Sequence, residues 1–150
     1  VISQEVADRI VNALNSSTAR GAALRGEAME LLADIPGYDW SGVYRLERDG
    51  LHLDEFVGAE TEHTFIPVGR GVCGVAVAEN KNQVIQDVRK IENYLACSSK
   101  TRSEIVVLFR AKQGNILGQI DIDGHEVGNF DESDETFLGR ISDILANRWE

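Results

Sequence analysis

Two cysteines and four polar or acidic strand residues are the groups in this 150-residue chain whose types and spacing bear most directly on chemistry. Cys97 stands in "NYLACSSKTRSEIVV", a polar loop with Lys100 and Arg102 close by. Exposure and neighbouring cations favour a thiolate, which makes Cys97 the better nucleophile candidate. Cys73 stands in "GRGVCGVAVA", where Gly69, Gly71 and Gly74 let the backbone turn sharply and make the thiol reachable. A helix beginning there would lower the thiol's pKa through its dipole. The plainer reading of Cys73 is a small buried hydrophobe at the start of a helix. The two cysteines lie 24 positions apart. Closing a loop of that length costs roughly a few kcal/mol, so a reversible disulfide is open to the chain if the fold brings them together.

In "GQIDIDG", Gln119, Asp121 and Asp123 alternate with Ile120 and Ile122, so the two sets occupy opposite faces of a strand. The polar set reads either as the solvated face of a half-buried sheet or as part of a site. Glu104 favours the site, because it opens the partner strand between the Cys97 loop and the apolar "IVVLF". Three carboxylates converging beside Cys97 would bind an ammonium group. If proximity kept one acid protonated, they would also hand a proton to a substrate oxygen. A small zwitterion suits such a cluster. Trp40 and Tyr44, four residues apart, are core residues or an aromatic wall of the same pocket. His52, His63 and His125 share no spacing, so neither a metal site nor a Cys-His hydrolase is expected.

The elements that must position these residues follow from periodicity. Val6, Ile10 and Leu14, then Leu24, Ala28, Leu31 and Ile35, mark two amphipathic helices separated by "NSST" and ended by Pro36-Gly37. A hairpin spans about 41–57 with its turn at Asp49-Gly50, and "VCGVAVAEN" is a short buried helix. "QVIQDV" is a short strand, and residues 89–102 form a loop. A second hairpin turns near Gln113-Gly114, and a C-terminal helix carries acids near its start. This order predicts an α+β fold in one domain over residues 1–150: N-terminal helices over 1–35, sheet and pocket loops over 40–123, and a helix over 131–149. The antiparallel sheet carries the terminal helices on one face.

With 43% hydrophobic residues, the chain has enough apolar side chains for one core. A formal charge of −10 argues against nucleic acid and anionic membrane surfaces, whose recognition relies on Lys and Arg. No apolar run nears the ~20 residues of a spanning helix, and the acidic amphipathic start lacks the pattern of a signal peptide. A cytoplasmic protein is expected, with the native start missing before Val1. In that compartment the two cysteines are reactive, transiently paired or buried rather than a permanent staple.

Five segments, "WSGVY", "IPVGRGVCGVAVA", "QVIQDV", "LACSSKTRSEIVV" and "LGQIDID", together resemble the free methionine-(R)-sulfoxide reductases, a family built on the GAF fold. The resemblance implies that Cys97 attacks the sulfoxide sulfur, releasing methionine and leaving a sulfenic acid. Cys73 then resolves it as a disulfide, and thioredoxin or another dithiol reduces that without a cofactor. It also implies that Glu104, Asp121 and Asp123 hold the substrate's amino group and assist protonation of its oxygen, with Trp40 at the methyl end. GAF relatives often pair through terminal helices, which suggests a homodimer with Val6, Ile10 and Leu14 as contacts. The chain departs from the family at His63, where many members carry a third cysteine, and at Tyr94, Ser98 and Leu108. A non-catalytic GAF sensor of small ligands and a Cys73–Cys97 thiol switch are the rival readings.

Overall fold

The computed structural model describes residues 1–95 and 99–150. Helices α1 (Gln4–Ser16) and α2 (Gly21–Ala33) lead into a six-stranded sheet. The sheet is built from β1 (Trp40–Glu47), β2 (Gly50–Val57), β3 (Phe65–Ile66), β4 (Gln83–Ile85), β5 (Ser103–Arg110) and β6 (Ile116–Gly124). Helix α3 (Gly71–Glu79) lies between β3 and β4, and α4 (Glu132–Asn147) follows β6. The strand order is β3-β2-β1-β6-β5-β4, and every neighbouring pair is antiparallel. This is the α+β architecture expected from the sequence.

Local chemistry accounts for the boundaries. The Ser3 side chain accepts from the amide of Val6 and starts α1. Asp131 and Asp134 form a reciprocal capping box at the start of α4, supplying acceptors to amides that have no partner within the helix. Helix α2 stops at Ala33, two residues short of the periodic Ile35, because the residue before Pro36 is pushed out of the helical region. Ile35 is buried all the same. The first hairpin turns one residue earlier than expected: Glu47 pairs with Gly50, leaving Arg48 and Asp49 as the loop. Gly50, at φ 144, is the first residue of β2, in a backbone region that favours glycine. The two-residue β3 and a 3-10 turn at Val88–Lys90 were not expected.

The sheet has two unlike faces. Val43 of β1, Ile105, Val107 and Phe109 of β5, and Ile120 and Ile122 of β6 pack against α1, α2 and α4 in one apolar cluster. Trp40, Tyr44, Val106 and Leu108 point the other way, where α3 contributes Val72, Cys73 and Ala76. Strand alternation assigns each residue its face, and antiparallel pairing aligns the assignments: Val43 with Ile120, and Ile120 with Val107. Ile10 and Leu14 turn inward as part of the helix-side core. They are therefore not surface contacts for a second copy, and of the three residues suggested only Val6 is partly exposed. Among the described residues no helix is long and apolar enough to cross a membrane.

Ile120 is completely buried between Val43 and Val107. Ile120→Ala removes three buried carbons at the centre of the sheet and should cost about 2–5 kcal/mol in a urea unfolding experiment. A loss below about 1 kcal/mol would mean that this layer repacks freely.

Candidate functional site

The polar face of β6 is buried rather than solvated. Gln119, Asp121 and Asp123 alternate with the isoleucines as expected, but Asp121 is 0% and Asp123 1% exposed. Glu104 on β5 is 2% exposed and stands opposite Asp123, while Asp121 stands between Gly42 of β1 and Val106 of β5. Strands β5 and β6 thus deliver three carboxylates to one patch with apolar neighbours on both sides.

Cys73, in the first turn of α3, caps this patch. Its Sγ lies 3.9 Å from Oε2 of Glu104. That sulfur and one oxygen each from Glu104 and Asp121 all fall within 4.8 Å of one another. The thiol is 4% exposed, so the glycines around it do not open a path to solvent. Gly71 and Gly74 allow close packing instead. A Cβ on Gly74 would stand 2.5 Å from the carbonyl oxygen of Pro67, and Gly71 adopts φ +65 against Leu95. The side-chain amide of Gln119 donates to the Cys73 carbonyl at 3.0 Å, and Asn93 donates to the Gly69 carbonyl at 2.9 Å. These bonds tie the start of α3 to β6 and to the segment that leads toward Cys97. Cys97 itself lies outside the described residues.

Burial raises the pKa of Asp121 above the ordinary carboxylate range, although its contacts with Glu104 and Cys73 pull it down. Two carboxyl groups this close and this dry resist ionising together, so the pair retains a proton where isolated acids have lost theirs. Tyr94 faces the same patch. Its phenol is held protonated above its ordinary range, chiefly by burial and then by the charges of Glu104, Asp123 and Asp121. Thr101 contributes a hydroxyl 3.5 Å from Oδ2 of Asp123. The chemical capacity of this arrangement is a buried proton reservoir beside a thiol.

Trp40 forms an aromatic wall. It sits across from Asp123 in the pairing of β1 with β6, stacks on Phe56 with centroids 5.6 Å apart, and donates its indole N–H to Ala59 at 2.9 Å. Two glycines make room for it: a Cβ on Gly42 would meet the ring at 2.3 Å, and one on Gly58 at 2.6 Å. Neither was singled out in the sequence, although a glycine inside the strand "WSGVY" is a signal of close approach. Tyr44 lies on the same face and donates its hydroxyl to the His63 carbonyl at 2.8 Å. The histidines stand apart from the acids: His52 pairs with Asp49 at 2.8 Å, and the backbone amide of His125 donates to Asp39 at 2.7 Å.

Residues 23–149 match the family model described as GAF domain. The chain belongs to the GAF family. This GAF chain is 43% identical over 112 residues to the free methionine-R-sulfoxide reductase of Escherichia coli, covering 75% of this chain and 65% of that protein. It is 41% identical over 109 residues to GAF domain-containing protein A of Dictyostelium discoideum, covering 72% and 68%. Among solved structures, free methionine-R-sulfoxide reductase from Neisseria meningitidis in complex with its substrate superposes with a TM-score of 0.87 at 32% identity. That match covers 99% of this chain and 92% of the other. Relatives of this GAF chain thus include reductases and, at similar identity, a protein named only for its domain.

Two outcomes test the site's physical description. Gly42→Ala drives a methyl group into the Trp40 ring, and overpacking of this kind costs about 1–3 kcal/mol. Its tryptophan emission should also shift as the ring moves, and unchanged emission with full stability would contradict the contact. Asp121 has a folded-state pKa above its unfolded value, so the native state binds the extra proton. Its effect on stability is therefore increasingly unfavourable as pH rises from about 4 toward that raised value. Measured against wild type at each pH, Asp121→Asn should gain relative stability across this rise. A stability difference independent of pH would refute the raised value.

Proposed function

We propose that this chain reduces free L-methionine-(R)-sulfoxide to L-methionine. The observation that carries the reading is the convergence of Glu104, Asp121 and Cys73 in one buried patch of the Trp40-bearing face. Identity of 43% to a free methionine-R-sulfoxide reductase supports it.

In this reading the Cys97 thiolate attacks the sulfoxide sulfur while the acid pair supplies a proton to the oxygen. The oxygen ends on Cys97 as a sulfenic acid, and methionine leaves with its sulfur reduced by two electrons. The Cys73 thiol displaces that hydroxyl as water, forming a Cys73–Cys97 disulfide. Thioredoxin returns both thiols by exchange and is itself oxidised, which goes with a cytoplasmic setting. Glu104, Asp121 and Asp123 together take the substrate's ammonium group, and Trp40 meets its methyl end. A peptide-bound methionine sulfoxide lacks the ammonium and would leave these acids without their counter-ion, so the free amino acid is preferred.

The deciding experiment incubates the protein with racemic free methionine sulfoxide and either dithiothreitol or thioredoxin. Methionine should appear until half of the racemate, the (R) form, is consumed. No methionine with either reductant would end the proposal, and tight binding without turnover would favour a sensor. Cys97→Ser should abolish the reaction, whereas Cys73→Ser should release about one equivalent of methionine and then stall with thioredoxin. Equal loss of the first round in both variants would contradict these roles. Glu104→Gln should lower kcat/KM by about 10²–10⁴-fold, the usual worth of a positioned acid.

A further inference from the structure

We infer that Cys73, Glu104 and Asp121 form a binding site for a thiophilic divalent cation of the Zn2+ class. This inference does not rest on the reductase reading. Three side chains from three elements, α3, β5 and β6, each offer a ligand atom, and those atoms lie within 4.8 Å of one another. A tetrahedral Zn2+ holds its sulfur and oxygen ligands at about 2.3 and 2.1 Å, which sets neighbouring ligand atoms about 3.4–3.6 Å apart. The 3.9 Å between Cys73 Sγ and Glu104 Oε2 is already close to that spacing, so small rotamer adjustments would close the set.

The donors select the ion. One sulfur with two carboxylate oxygens suits Zn2+ and other thiophilic ions, while Mg2+ and Ca2+ take oxygen ligands in larger shells. Burial adds to the attraction, because a dication compensates acids that are 0% and 2% exposed and have little water to screen them. A separate observation concerns the same face of the sheet. Gln119 is completely buried on the same face of β6 as Asp121, with its side-chain nitrogen bonded to the Cys73 carbonyl. Its amide oxygen has no hydrogen-bond partner among the described residues. Three protein ligands leave a fourth position for water. On binding, the Cys73 thiol and the proton-sharing acid pair give their protons to buffer, and the sulfur and carboxylate oxygens bond the metal with no change of oxidation state. A metal-bound Cys73 cannot enter a disulfide.

Co2+ added anaerobically to the reduced full chain tests this directly. One equivalent should produce a thiolate-to-cobalt charge-transfer absorption with tetrahedral visible bands. One equivalent of Zn2+ should bleach both, and Mg2+ should not. Cys97→Ser should keep the signal, since Cys73 is then the chain's only thiol. Cys73→Ser should lose the charge-transfer absorption. Asp121→Asn and Glu104→Gln, with circular dichroism confirming their fold, should each weaken Zn2+ affinity by at least about tenfold. No charge-transfer absorption in the wild-type protein, or its loss in Cys97→Ser, would overturn the assignment whatever the outcome of the sulfoxide assay.

Discussion

Holding Glu104 and Asp121 side by side out of water is the constraint around which the second face of the sheet is arranged. A buried carboxylate without compensation costs several kcal/mol, and two in contact cost more unless they share a proton or meet a cation. The surroundings of the pair follow from that cost. The Cys73 sulfur lies against it, and Thr101 and Gln119 bring polar groups to the two ends of the same strand face. Trp40 and Tyr44 donate their polar hydrogens to the carbonyls of Ala59 and His63.

The helix-side layer makes this arrangement rigid. Arg25 is buried beside the Trp149 ring, 4.1 Å from its centroid, and bonds Asp54 of β2 at 2.5 Å. Tyr38 donates to Asp134 at 2.6 Å, joining the entry of β1 to the start of α4. Arg148 reaches the carbonyls of Leu14, Ser17 and Ala19 and satisfies groups at the end of α1. These bonds fasten α2 to β2, α4 to the entry of β1, and the end of α1 to the residue that follows α4. Preorganisation of this kind lets a buried acid pair hold its geometry against its own repulsion.

Much of this was legible in the amino-acid order because two periods dominate it. The alternation of Gln119-Ile-Asp-Ile-Asp123 separates the faces, and the spacing of Ile10, Leu14, Leu24 and Ala28 marks the helix side. What escaped has no period. Strand β3 is two residues long and exists through its pairing with Leu51 and His52. The first turn lies one residue before Asp49-Gly50 because cross-strand pairing, not the dipeptide, sets its register. Cys73 had two readings, a reachable thiol and a small buried hydrophobe, and its burial bears out the second. Gly74 and Gly71 serve close packing against Pro67 and Leu95, and the Leu95 contact lies 24 residues further along the chain. The burial of Asp121 depends likewise on Cys73 of α3 lying against it, which no local pattern announces.

The face assignment on β6 has a further bearing on how the chain avoids misfolding. A one-residue slip between β5 and β6 would turn Glu104 or Asp121 and Asp123 toward α4 and expel an isoleucine from the apolar layer. Charges without any compensating neighbour would then sit in hydrocarbon, so the shifted pairing is penalised twice. The acids thus act as sentinels of correct strand alignment as the hairpin zips. Their removal would leave a smoother and more ambiguous energy landscape, in which alternative pairings compete with the native one.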